Sequence, residues 1–156
     1  MSGGVRATRL NHAVLYVRDV PRSSAFYRHV LGFEEVAGDE RAVFLRAAGG
    51  SNHHDLALFS VGIDAPSPLP GAVGLYHLAW EVASIRDVAT AVAVLKQIGA
   101  YVGESDHGAT KSVYGRDPDG HELEIMWMVP REHWGELEGA AVVQRLDLDA
   151  EIARWG

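Results

Sequence analysis

Leu10-Asn11-His12-Ala13-Val14-Leu15-Tyr16-Val17 and Leu75-Tyr76-His77-Leu78-Ala79-Trp80-Glu81-Val82 decide how this chain is read. Each is an apolar, strand-like run with a histidine at its third position, as though one strand had been written twice. The segments downstream of the two runs repeat as well. After the first, Asp19-Val20-Pro21 opens a helix in which Pro21 suits an early position, and Ala25, Phe26, Val30 and Leu31 recur at helical spacing up to Gly32. Three short apolar runs come next, at 33–37, 41–47 and 54–61, separated by Gly38-Asp39-Glu40 and Ala48-Gly49-Gly50-Ser51-Asn52. The order is β-α-β-β-β.

Residues 62–74 hold three of the chain's six prolines and read as a linker. The second half then repeats the plan. A strand over 75–83 leads to an amphipathic helix over 85–98, with Ser84 as N-cap, Gly99 as the stop, and Val88, Ala91, Val92, Leu95 and Ile98 as its buried stripe. Strands over 101–105, 111–115 and 121–129 complete the unit, and Asp117-Pro118-Asp119-Gly120 makes the turn before the last. The expected fold class is therefore α+β: two tandem βαβββ modules, about 8–61 and 75–129, and an amphipathic tail over 130–156 whose residues 146–155 form a helix. The whole is expected to be one domain.

Composition narrows the function. A chain of 156 residues, 47% hydrophobic and 22% charged, buries one core. The net charge of -7, with no basic run, argues against nucleic acid as a partner. The absence of cysteine means that any metal is held by nitrogen and oxygen. No apolar segment follows Met1-Ser2-Gly3-Gly4, and no apolar run approaches the ~20 residues of a membrane span, so a cytoplasmic location without a membrane partner is expected.

Strand alternation places His12 with Leu10, Val14 and Tyr16, and His77 with Leu75, Ala79 and Glu81. In the last strand Glu122, Glu124, Met126 and Met128 share one face, while His121, Leu123, Ile125 and Trp127 share the face packed on helices. Taken singly, His12 and His77 read as satisfied core histidines and Glu124 as a rim carboxylate. At equivalent positions of a repeat, metal binding is the better reading, because a buried imidazole needs a hydrogen-bond partner or an ion. Two histidines and one carboxylate make the facial triad of non-haem Fe(II) oxygenases.

The segment Asp117-Pro118-Asp119-Gly120-His121-Glu122-Leu123-Glu124 is similar to the Asp-Pro-x-Gly-x-x-x-Glu signature of the vicinal oxygen chelate superfamily, which includes glyoxalase I, antibiotic resistance proteins and the type I extradiol dioxygenases. The resemblance covers nearly the whole chain. It implies paired modules in one half-open barrel around a metal held by His12, His77 and Glu124. His53-His54-Asp55-Leu56-Ala57-Leu58-Phe59 resembles the His-Asp-aliphatic strand of catechol 2,3-dioxygenases, which gives His54 the part of assisting oxygen chemistry. His107 and Tyr114 resemble the pair that hydrogen-bonds the catechol oxygens. Read bare, His54 is a turn-proximal residue, His107 a loop histidine and Tyr114 a packing residue.

What the resemblance implies is an extradiol dioxygenase acting on a small aromatic diol with O2 as co-substrate. Fe(II) is the expected ion, with Mn(II), Ni(II) or Zn(II) as alternatives, and a homodimer or higher homo-oligomer is the expected assembly. Many extradiol enzymes carry two paired-module domains; this chain has one pair. A glyoxalase I-like lyase or isomerase is the nearest rival, but it needs a further glutamate in the last strand of the first half, where Leu56, Ala57 and Leu58 stand. A metal-free drug-binding protein, as in bleomycin resistance, has no use for the full triad.

Overall fold

The computed structural model describes residues 4–69 and 71–156; residues 1–3, and Pro70 of the 62–74 linker, lie outside it. The chain divides into two compact units, residues 1–67 and 68–156, with the boundary inside the proline-rich stretch. Each unit is one βαβββ module, and the α+β fold read from the repeat is the one observed.

Module one runs β1 (Ala13–Val17), α1 (Val20–Leu31), β2 (Glu34–Gly38), β3 (Ala42–Arg46) and β4 (Leu56–Ser60). Its sheet has the order β1-β4-β3-β2, with β1 and β4 parallel and the other pairs antiparallel. A parallel pair needs a long crossover between its strands, and α1 with the β2–β3 hairpin supplies it. Asp19 starts α1 by accepting from the Arg22 amide at 2.9 Å, and Gly32, at φ 65°, ends it. The helix buries Val20, Ser23, Ser24 and Tyr27, whereas Ala25 is exposed. The face that recurs every three to four residues from Val20 is the one turned to the sheet, and Ala25 is off it. Leu15, Val17, Val43, Leu45, Leu56 and Leu58 complete this core, each fully buried aliphatic side chain contributing about 1.5–3 kcal/mol.

Module two repeats the plan with β5 (His77–Glu81), α2 (Ile85–Gln97), β6 (Tyr101–Asp106), β7 (Thr110–Arg116) and β8 (Glu122–Met128). The sheet order is β5-β8-β7-β6, again with the first pair parallel. Ser84 caps α2 through a reciprocal capping box with Asp87, an arrangement worth about 1 kcal/mol. Val88, Ala91, Val92 and Leu95 are buried as expected. Ile98 is not: it lies past the last helical turn and is 41% exposed. Leu95 reaches so close to β7 that a Cβ on Gly115 would stand 2.7 Å from its Cδ2, so the missing side chain lets helix and sheet meet. Edge strands β2 and β6 each carry a one-residue register shift, between Glu35 and Ala37 and between Tyr101 and Gly103. Such bulges twist an edge away from unwanted pairing.

Both His-bearing strands are shorter than the sequence suggests. Leu10 to His12 and Leu75 to Tyr76 precede the ladders, because the parallel register begins at Ala13 with Leu56 and at His77 with Glu122. At the centre of β8 both faces are buried, Leu123, Ile125 and Trp127 on one and Glu124 and Met126 on the other. The tail forms the expected helix, α3 (Leu148–Trp155), which packs on α2, with Trp155 meeting Trp127 at 5.8 Å between ring centroids. Among the described residues no helix is long and apolar enough to cross a membrane.

Candidate functional site

Four of the six expected site residues lie in module two, and the fold brings them into one connected array. Parallel pairing sets Ala79 opposite Glu124, and antiparallel pairing sets Tyr114 opposite the same glutamate from the other side. His77, two residues before Ala79, therefore reaches along the sheet face, and its Nε2 stands 3.0 Å from Glu124 Oε2. Glu124 is only 8% exposed, and its second oxygen accepts from the Ser112 hydroxyl at 2.5 Å. Ring contacts join His77 to Tyr114 at 5.7 Å, and the Tyr114 hydroxyl lies 2.9 Å from His107 Nε2. Burial, and then the Glu124 charge, push the Tyr114 phenol up to about 12, so it remains a hydrogen-bond donor at neutral pH.

The other two residues meet in module one. His12 lies exposed just before β1, its Nδ1 2.8 Å from Asn11 Oδ1. Its ring lies 4.5 Å from that of His54, which is also flanked edge-on by Phe44 at 5.1 Å and His53 at 5.2 Å. Desolvation, and then the neighbouring His12 and His53, hold His54 below the usual imidazole value against the opposing pull of Asp55. A neutral His54 is thereby favoured at pH 7. The His53 and His54 Nδ1 atoms are 3.0 Å apart, so one donates and the other accepts.

The donor chemistry fits a metal. His77 Nδ1 is buried without a hydrogen-bond partner, while its Nε2 and the Glu124 carboxylate face one another beside the Ser112 hydroxyl. His12 has its Nδ1 engaged by an amide oxygen, the arrangement that commits the other nitrogen of a metal-binding histidine to the ion. Among the described residues no group of three or more His, Asp or Glu side chains that could hold a metal ion is found. His77 and Glu124 make a pair in one unit; His12 belongs to the other.

A sequence profile of the glyoxalase/bleomycin resistance protein/dioxygenase superfamily matches residues 9–125. The chain belongs to that superfamily. Within it, the chain is 30% identical over 149 residues to the catechol-2,3-dioxygenase of Bacillus subtilis, covering 92% of this chain and 50% of that protein. It is 34% identical over 136 residues to the biphenyl-2,3-diol 1,2-dioxygenase 3 of Rhodococcus globerulus, covering 84% and 70% respectively. The chain thus spans about half the length of the Bacillus relative. The crystal structure of a superfamily domain from Frankia sp. EAN1pec shares the fold, with a TM-score of 0.66 and 22% identity over 80% of this chain and all of that one.

Sequence reasoning missed two residues that hold the candidate groups in place. Asn52 Nδ2 lies 2.6 Å from the Asn11 carbonyl, 2.9 Å from that of His54 and 3.1 Å from Asp55 Oδ1, while its Oδ1 accepts from Asn11 Nδ2 at 3.0 Å. It stitches the loop before β4 to the segment before β1. Ser112 was within reach of the alternation rule, since it sits two residues before Tyr114 on one strand and shares its face. No local pattern marked Asn52, whose partner Asn11 lies 41 residues away.

Proposed function

We propose that the chain is an extradiol-type dioxygenase that opens an aromatic diol with O2 at a mononuclear Fe(II) held by His12, His77 and Glu124. The observation that carries this reading is the array His77, Glu124, Tyr114 and His107, in which a buried carboxylate and a histidine adjoin a phenol hydrogen-bonded to a second histidine. Iron held by these residues would supply a positive charge that lowers the pKa of a diol oxygen.

The protein's own groups do the rest. The phenol of Tyr114 keeps its proton, since its pKa lies far above neutrality, and turns it from His107 Nε2 to a ring oxygen when a diol binds, which leaves Nε2 free to accept from the diol. His107 orients the second oxygen from the Tyr114 side. His54, held neutral, takes up a proton and returns it during ring opening, the work of a positioned general acid/base. A glyoxalase-type isomerase would need a carboxylate in β4; Ala57, the residue whose place in the register matches that of Glu124, is fully buried and cannot ligate.

Anaerobic loading with Fe(II), followed by O2 uptake over a panel of catechols, tests the proposal. Uptake with formation of a yellow ring-fission product is expected. No uptake with any diol, together with isomerisation of a hemithioacetal by the Ni(II)-loaded protein, would overturn it.

A further inference from the structure

His107 is held from two sides, and the second side is the tail. Its Nδ1 lies 3.0 Å from the Val142 carbonyl, an acceptor that offers no proton, so Nδ1 must carry the hydrogen and donate it. A neutral ring with its proton on Nδ1 has a bare Nε2, and that is the atom 2.9 Å from the Tyr114 hydroxyl. The stretch of tail that supplies the carbonyl is fastened twice on its C-terminal side. Asp106 and Gln144 exchange two backbone hydrogen bonds, of 2.8 and 3.0 Å, and the Gln144 side chain donates to Asp106 Oδ2 at 3.0 Å. Buried Lys111 ties Asp106, at 2.6 Å, to Glu151 of α3, at 3.4 Å.

Gly108 completes the fit. It sits at φ 77°, and a Cβ there would stand 2.9 Å from Leu137 Cδ2 and 3.4 Å from Val142 Cγ2, so only glycine lets the tail lie this close to the loop that carries His107.

We propose that the tail segment around Val142 is a positioning element of the site: its carbonyl locks His107 in the Nδ1–H tautomer, so that Nε2 meets the substrate as a hydrogen-bond acceptor. This rests on the reading of His107 as a diol-facing group. The tail then has a part in the chemistry without touching the reacting atoms, because it decides which way the His107 proton points.

Long-range ¹H–¹⁵N spectra of the full chain with ¹⁵N-labelled histidine, assigned by comparison with His107→Ala, read the tautomer directly. The Nδ1–H form is expected for His107; the Nε2–H form in the unaltered protein would overturn the proposal. Replacing Val143 by its α-hydroxy acid analogue turns the 142–143 amide into an ester and weakens the Val142 carbonyl as acceptor; Val143 itself is 77% exposed. This change should shift His107 toward Nε2–H and raise the KM for catechol about 3- to 10-fold, the value of one ordinary hydrogen bond, while Val143→Ala leaves both unchanged. A tautomer that ignores the ester would also overturn the proposal. Absence of O2 uptake by the unaltered protein, with His107 still in the Nδ1–H form, would sink the dioxygenase reading and leave the tail's hold on His107 standing.

Discussion

Laid on one another by their strand registers, the two modules differ where it matters for chemistry and agree almost everywhere else. Val14 pairs with Ala57 in module one as Ala79 pairs with Glu124 in module two, each two residues after its histidine. By the same register Leu56 and Leu58 match Leu123 and Ile125, all buried. The polar positions diverge. Glu124 is matched by Ala57, Tyr114 by Phe44 and Ser112 by Ala42. In each pair module two has added an oxygen and module one a methyl or a bare ring. Duplication made two scaffolds, and only one was filled with groups that satisfy each other. A carboxylate at position 57 would be buried beside Phe44, with no hydroxyl opposite to receive it.

The loops before the last strands show the reverse bias. His54 and His121 occupy matching places, but His121 Nδ1 is held by the buried Asp117 carboxylate at 2.9 Å, whereas His54 faces other imidazoles. One histidine closes a turn against a carboxylate; the other packs among imidazoles.

Removing the carboxylate breaks this comparison most severely. Glu124→Ala makes module two resemble module one at the ligand position and should reduce Fe(II) affinity by more than ~100-fold, since lesser changes around a metal already cost ~10–100-fold. Iron bound per chain after gel filtration checks it, and unchanged stoichiometry would mean that Glu124 is not a ligand. Next in size is the contrast between the matched histidines. His54→Ala should lower kcat for catechol by ~10²- to 10⁴-fold with the iron content retained. His121→Ala should lower the urea midpoint and leave kcat nearly intact. Equal kinetic losses in the two variants would erase the distinction.

Much of this asymmetry was legible in the amino-acid sequence. The duplicated His-bearing runs gave the module plan, and Asp19, Gly32, Ser84 and Gly99 marked the helix ends because capping is local chemistry. Strand alternation singled out Glu124 beside the two histidines, a family resemblance singled out Tyr114 and His107, and the fold joins all three with His77. The matches Ala57 with Glu124 and Phe44 with Tyr114 were not legible, because they depend on register, and the gap between the last two strands differs in length between the halves. Asn52 and the Val142 carbonyl escaped for a related reason: each acts through a partner 35 to 41 residues away. Ile98 was misplaced because helical periodicity does not say where the packed face ends.

Acid should expose the difference between the two turns. Burial would raise the Asp117 carboxyl, but its hydrogen bonds from His121, the charge of that ring and the backbone amides of His121 and Asp119 outweigh it and hold the group below the usual value. A carboxyl with a depressed folded pKa contributes stability that is complete above its unfolded value, about 3.9, and is lost as the pH falls through the folded value. Asp106, hydrogen-bonded by Lys111 and Gln144, is depressed in the same sense. Both belong to module two. Between pH 5 and 2, hydrogen exchange should therefore loosen module two's β7–β8 turn ahead of module one's β3–β4 loop, and Asp117→Asn should flatten that pH dependence. Loss of protection in both loops together would show that the turns do not differ in this way.

The smallest expected effect concerns the helices. α2 buries an unbroken apolar stripe, while α1 turns Ser23 and Ser24 to the sheet, and neither hydroxyl has a hydrogen-bond partner. A buried hydroxyl without a partner costs about 1–3 kcal/mol relative to water, and alanine also has the higher helix propensity. Ser23, at 0% exposure, is the better test. Ser23→Ala should raise the stability of the full chain by about 1 kcal/mol, part of the gain being offset by the small void left behind, and should leave iron content and kcat untouched. Equilibrium urea unfolding reads the change. A loss of stability would mean that the Ser23 hydroxyl finds a partner in solution, and that module one's helix is as well satisfied as module two's.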